Sequence, residues 1–348
     1  MAQFGSYQNE IYQGGLRGVL PGVPVDYATL VARATAAMPS HVLNYVQGGC
    51  GDEFTQDQNA AAFHHWGMVP RMMVETSVRD LSMTGVPMVV STLGNDTMED
   101  VAPHLGATPG FFQLYTPRNK DLAESLITRA EAAGYRGIIV TLDTWVTGFR
   151  PRDLNAGNFP QLRDHVLKNY TADPVFQKLL GKDASESPAE AVALWGSLFG
   201  RPMLWEDIAW LKSVTKLPII LKGICHPDDA RKAVDMGADG IYCSNHGGRQ
   251  ANGGIAAIDM LPDVVKASGD VPVWFDSGIR SGSDVVKALA MGAAAVGVGR
   301  PFVYGLALDG AAGAAHVLKC ILAEADLFMA VNGMPTLADL RREGVRRL

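Results

Sequence analysis

The residues with the most chemistry to offer stand together in Ser244-Asn245-His246-Gly247-Gly248-Arg249-Gln250. An apolar run, Gly240-Ile241-Tyr242-Cys243, precedes them and reads as a buried strand. His246 can take a proton near neutral pH, and Arg249 is a fixed cation able to grip an anion with two prongs. The two glycines between them let the backbone turn sharply and let a ligand approach. A histidine and an arginine at the end of a buried strand cost stability, so a site explains them better than packing does.

Other polar residues close apolar runs in the same way. Ser91, Gln113 with Tyr115, Thr141 with Asp143, Lys222, Ser244 with His246, Asp276 and Arg300 each end one. An aspartate such as Asp143 beside His246 raises the imidazole pKa and stabilises the cation formed on proton uptake. Lys222, after Ile219-Ile220-Leu221, needs an anionic partner. That partner is either a carboxylate, Asp143 or Asp276, or the electron-rich edge of a bound ring. The turns Asp276-Ser277-Gly278-Ile279-Arg280 and Gly297-Val298-Gly299-Arg300 suit a phosphate held by backbone N–H groups and a helix N-terminus. The alternative is a pair of ordinary glycine turns with surface arginines. Arg249 and Tyr45 could hold a carboxylate together, although Tyr45 alone reads as a packed helix residue.

Elements that could position these residues repeat along the chain. Apolar strands are expected at 86–91, 110–115, 137–143, 217–223, 240–245, 272–278 and 295–300. Between them run amphipathic helices, three of which stop at a glycine: Gly134, Gly237 and Gly292. Strands apolar throughout and alternating with helices imply a parallel sheet covered on both faces. Polar residues at every C-terminal strand end favour a (β/α) barrel over a doubly wound sheet. The count is seven, one short of a closed barrel of this type. The fold class is therefore α/β, a TIM-type barrel lacking one strand-helix unit.

Residues 1–84 read as an N-terminal region: an extended arm at 1–26, a helix at 27–47, a short helix at 52–66, then irregular chain or a hairpin. The barrel occupies 85–335 and a tail 336–348. A polar insertion at 151–204, with one helix at 188–199, interrupts the repeat and is a candidate lid.

Composition narrows the partners. A net charge of −6 argues against nucleic acid and anionic membranes. No apolar run reaches the ~18 residues of a membrane span. Cys50, Cys225, Cys243 and Cys320 lie far apart without metal-ligand spacing, as in a reduced, cytoplasmic protein. The adjacent His64 and His65 cannot share a helical face, so no metal site is expected there.

With these motifs assembled, the chain resembles the FMN-dependent L-2-hydroxy acid oxidases and dehydrogenases. The Ser244–Gln250 stretch looks like that family's signature, and the likeness runs from Tyr45-Val46-Gln47-Gly48-Gly49 to Arg300-Pro301. The resemblance is strongest to the lactate 2-monooxygenase branch. It is carried by Tyr7-x-Asn9-Glu10-Ile11-Tyr12, Asp143-Thr144-Trp145, Arg150-Pro151-Arg152-Asp153 and the run from Cys243 to Gly254, and Leu93 fits this branch too.

The resemblance implies FMN as cofactor, an L-2-hydroxy acid (lactate) and O2 as substrates, and a homo-oligomer of four or more chains. His246 would take the substrate proton, supported by Asp143. Arg249, Tyr45 and Arg150 would bind the carboxylate, and Tyr115 the hydroxyl. Ser91, Gln113, Thr141, Lys222 and Ser244 would contact the flavin, with Lys222 at its N1 edge. Asp276, Ser277, Gly278, Arg280, Gly299 and Arg300 would hold the ribityl phosphate. Relative to the family pattern, the first barrel strand and helix are missing before Gly85-Val86-Pro87.

Overall fold

The structure, a computed structural model, describes residues 4–80, 86–163 and 166–348. The junction at 81–85, where the missing unit is expected, lies outside the described residues.

All seven expected strands form, each shorter than its apolar run. They are β1 (Met88–Ser91), β2 (Gly110–Leu114), β3 (Ile138–Thr141), β4 (Ile219–Lys222), β5 (Gly240–Cys243), β6 (Val273–Phe275) and β7 (Ala295–Val296). Every neighbouring pair is parallel, and spatial order equals chain order. β1 and β7 are the two ends of the sheet and do not pair with each other.

The sheet is nevertheless curled. Phe111 on β2 and Trp274 on β6 belong to strands that are not neighbours, yet their rings meet edge to face at 4.7 Å. Strand alternation explains the two layers. Ile139, Ile220 and Tyr242 point into the curl, with Phe111 and Trp274 packed on them. Ile138, Val140, Ile219, Leu221 and Ile241 point outward into the main core under the helices. The helix-ending glycines behave as their sequence signature requires. Gly134, Gly237 and Gly292 have φ of 90°, 89° and 105°, the left-handed region where a side chain would be strained.

Three local expectations are corrected and one alternative is decided. Residues 1–26 do not form an extended arm throughout, because Tyr7–Leu16 is helical. Its tertiary contacts decide this: Tyr7 packs on His316 and shares a 2.7 Å hydrogen bond with its Nδ1. The single helix over 27–47 is two, Tyr27–Ala37 and Ser40–Gln47. Pro39 drives Met38 out of the helical region, to φ −79° and ψ 139°. Of irregular chain or a hairpin after residue 66, the irregular form stands for the described residues 68–79, and Trp66–Gly67 pairs antiparallel with Arg346–Arg347 of the tail. The 151–204 insertion is mostly helical, adding Pro151–Asn155, Lys168–Thr171 and Pro174–Leu180 to Pro188–Leu198. Its polar composition hid a packed interior: Tyr170 and Phe176 are fully buried, with ring centroids 5.8 Å apart. No helix among the described residues is long and apolar enough to cross a membrane.

Candidate active site

β5 delivers the signature turn. Past Cys243 the chain bends through Ser244 and Asn245 into a short 3-10 turn, His246–Gly248. His246 itself has φ 57°, a left-handed backbone unusual for a residue with a side chain. Two hydroxyls hold that turn. Ser244 Oγ accepts the His246 N–H at 3.0 Å, and Ser277 Oγ accepts the Gly247 N–H at 3.0 Å.

The turn aims His246 at the end of β3. Its Nδ1 lies 2.9 Å from Asp143 Oδ1 and 3.1 Å from Thr144 Oγ1. Nδ1 is thus committed to two oxygens, which leaves Nε2 as the atom that can take a proton. Burial lifts the Asp143 carboxyl, but His246 and Lys222 more than reverse this and hold it at about 2. The expectation for His246 is corrected. Asp143 does pull its pKa up, yet desolvation outweighs that pull and the net shift is downward. At neutral pH the pair is a neutral imidazole beside a carboxylate, the state a proton acceptor needs.

Arg249 lies three residues along the same turn. Its guanidinium sits over the Tyr45 ring, 5.1 Å from the centroid, and donates from Nη1 to the Gly48 carbonyl. Tyr45 Oη accepts from Gln161 Nε2 at 3.2 Å. Arg150 is buried beside them, but two of its donors are taken. Nε bonds the Arg249 carbonyl at 3.0 Å and Nη2 the Gln250 Oε1 at 2.7 Å. Tyr115 stacks edge-on against Phe199, and burial pushes its hydroxyl up to about 12, so it remains a donor.

Strand pairing lines up the remaining polar ends. Ser91 Oγ donates to Gln113 Oε1 at 3.0 Å, and Gln113 Nε2 donates to Thr141 Oγ1 at 2.9 Å. Thr141 stands opposite Lys222 across β3 and β4. Lys222 Nζ donates to Ser244 Oγ at 2.8 Å and lies 3.3 Å from Asp276 Oδ2. Burial lowers the lysine's pKa, but Asp276 and Asp143 raise it further, so it stays charged. Of the two partners left open for Lys222, the carboxylate is therefore present in the fold.

The glycine turns follow. Gly278, at φ 96°, lies so close to the Asn59 carbonyl that no Cβ fits. Ser277 donates to Asp276 Oδ1 at 2.8 Å. Gly299 precedes the helix Arg300–Val331, with nothing within 4 Å of where its Cβ would be. Arg280 covers the Tyr27 ring at 5.3 Å. Arg300 bonds the Val46 carbonyl at 3.0 Å and Gln56, tying the N-terminal helices to the turn. Burial, with Arg249 and Arg280 nearby, lowers its guanidinium to about 10.

Two residues were legible in the motif but given no role. Gln250 bonds the carbonyls of Asp143 at 2.9 Å and Val146 at 2.7 Å, and accepts from Arg150. Asn245 exchanges two 2.8 Å side-chain bonds with Asn59. Nothing in the sequence marked Asn59 as its partner. An apolar cavity of ≈ 500 Å³ beside Tyr7, Cys320 and Phe328 is lined by none of the site residues.

The donor set fits FMN. Ser91, Gln113 and Thr141 offer hydroxyls and an amide at the height of a buried cation, Lys222, which would hold the pyrimidine edge of the ring. Burial, Arg249 and Arg280 together lower Arg300, a gathering of cations that suits an anion, and Arg280 with the open backbone at Gly299 would hold a phosphate. His246 and Arg249 share one turn, and the polar row along the neighbouring strand ends runs from Ser91 to Lys222, an arrangement compatible with a flavin.

The chain belongs to the FMN-dependent dehydrogenase family of oxidoreductases, whose profile matches residues 34–85 and 82–347. The two matches meet where the strand count falls short. An FMN-dependent alpha-hydroxy acid dehydrogenase of Penicillium citrinum is 38% identical, over 99% of this chain and 96% of its own length. That alignment spans 387 positions against 348 residues here, so at least 39 positions of the relative have no counterpart. An L-lactate oxidase of Lysinibacillus sphaericus is 35% identical, over 91% of this chain and 92% of its own. The crystal structure of a soluble mutant of membrane-associated (S)-mandelate dehydrogenase from Pseudomonas putida is 30% identical. It superposes with a TM-score of 0.82, covering 93% of this chain and 99% of that one.

Proposed function

We propose that the chain oxidises an L-2-hydroxy acid, lactate for preference, in the manner of a lactate 2-monooxygenase. One observation carries the reading: His246 is held through Nδ1 by Asp143 at 2.9 Å, while the half-buried Arg249 stands on the same turn. The substrate carboxylate would pair with Arg249, steadied by Tyr45, with Arg150 holding the loop behind. Its hydroxyl would face Tyr115 and His246. Nε2 takes the substrate proton, and Asp143 stabilises the resulting imidazolium. FMN, when bound, supplies the acceptor for the two electrons.

The overall reaction is L-lactate and O2 to acetate, CO2 and water, and it needs the keto acid to stay enclosed beneath the 151–204 insertion. The second reading is an oxidase that releases pyruvate and H2O2, or an FMN- or phosphate-binding barrel whose catalysis the missing unit impairs. It is favoured by the sheet's unpaired ends, which give the site one side fewer. The reading also includes a cytoplasmic homo-oligomer.

The test is anaerobic addition of L-lactate to FMN-loaded protein. Bleaching of the flavin absorbance supports the reading, and FMN-loaded protein that lactate leaves yellow overturns it. Acetate or pyruvate in the aerobic reaction separates the two outcomes. The His246→Ala variant is expected to bind FMN and not be reduced; normal reduction removes His246 from the mechanism.

A further inference from the structure

Asp143 has a neighbour that the proton-transfer scheme does not use. Thr144 is 8% exposed, and its hydroxyl lies within the His246–Asp143 contact. Thr144 Oγ1 donates to Asp143 Oδ1 at 2.9 Å, and the same oxygen lies 3.1 Å from His246 Nδ1. Three polar groups therefore close a triangle that contains two hydrogens.

Counting them assigns the direction of each bond. The hydroxyl hydrogen goes to Asp143 Oδ1. The lone pairs of Thr144 Oγ1 and Asp143 Oδ1 are then both acceptors for the one hydrogen on Nδ1. A hydrogen on Nε2 instead would leave a bare Nδ1 lone pair 2.9 Å from a carboxylate oxygen, which is repulsive. The second carboxylate oxygen, Asp143 Oδ2, is buried without a partner. Oδ1 thus carries both donors, and the threonine hydroxyl competes with the imidazole for it.

We infer that Thr144 is a positioning residue that competes with His246 for Asp143 Oδ1 and weakens the pull of Asp143 on the imidazole proton. The inference rests on the reading of His246 as proton acceptor, and it concerns how strong that acceptor is. The threonine hydroxyl takes up part of the carboxylate charge, so the imidazolium is less stabilised than it would be by Asp143 alone. The other charged groups acting on His246 are Lys222 at the end of β4 and Asp276 after β6, and neither changes when Thr144 does.

The experiment compares Thr144→Val, which removes the hydroxyl and keeps the shape, with Thr144→Ser, which keeps the hydroxyl. The first readout needs no flavin. Imidazole 15N NMR of the FMN-free protein follows the titration of His246, assigned by its disappearance in His246→Asn. Thr144→Val is expected to raise the His246 titration midpoint by about half a pH unit or more, the scale of one lost hydrogen bond. Thr144→Ser is expected to titrate with the parent.

The second readout is the pH profile of anaerobic flavin reduction. Its acid limb should move up by the same amount in Thr144→Val, while KM at high pH holds because Arg249 is untouched. A Thr144→Val midpoint equal to the parent's, or a Thr144→Ser midpoint that moves as far as the valine's, overturns the inference. A midpoint that moves while the acid limb of reduction stays put refutes His246 as the proton acceptor and leaves the Thr144 contact standing.

Discussion

Asp143→Asn isolates the electrostatic heart of the site. The parent carboxyl is held at about 2 against an ordinary 3.8, although burial alone would push it up. At about 1.4 kcal/mol per pH unit, that depression is worth about 2 kcal/mol of folding stability. Because the folded value lies below the unfolded one, the contribution is complete above pH ~4 and is lost as pH falls towards 2. Asparagine carries no charge and forgoes the contribution at every pH. Urea denaturation at pH 7 should therefore find the variant less stable by about 2 kcal/mol, with the difference shrinking between pH 4 and pH 3. Two results refute the reasoning. One is a variant as stable as the parent at pH 7; the other is a deficit of the same size at pH 3, which would mark lost packing rather than lost charge.

Gly278→Ala should destabilise by about 2 kcal/mol or more in thermal melts, since its φ of 96° and the Asn59 carbonyl both exclude a Cβ. Gln250→Leu removes the amide that joins Asp143, Val146 and Arg150, and should raise KM for the 2-hydroxy acid several-fold in steady-state assays. Val89→Lys places a charge at an exposed position of the end strand β1, and light scattering should show less self-association with an unchanged circular dichroism spectrum.

The barrel was legible because the strands are apolar on both faces and three of the helices between them stop at a glycine, Gly134, Gly237 and Gly292. The signature turn was legible because His246 and Arg249 have no packing reason to stand at a strand end. Direction of charge was less accessible. Asp143 beside His246 suggested a raised imidazole pKa, but a sequence does not show how much water the fold removes, and desolvation proved the larger effect. Long-range partners were invisible for a related reason. Asn59 reaches Asn245 across 186 residues, and Trp66–Gly67 finds Arg346–Arg347 in the tail, and neither leaves a periodic trace. The N-terminal helix Tyr7–Leu16 escaped notice because its glycine-rich composition argues against it, and contact with His316 supplies what propensity lacks.

Spatial order equal to chain order has a consequence for how the molecule forms. Each strand can dock on the one synthesised just before it, so the sheet can be laid down from β1 to β7 as the chain emerges. A closed barrel must finish by joining its last strand to its first, the costliest loop in the fold. Here that late step falls to other contacts: the Trp66–Gly67 ribbon with Arg346–Arg347, and the bridge of Asp80 to Thr336. A nascent chain lacking its last few residues would carry a complete sheet, with Trp66–Gly67 still waiting for Arg346–Arg347.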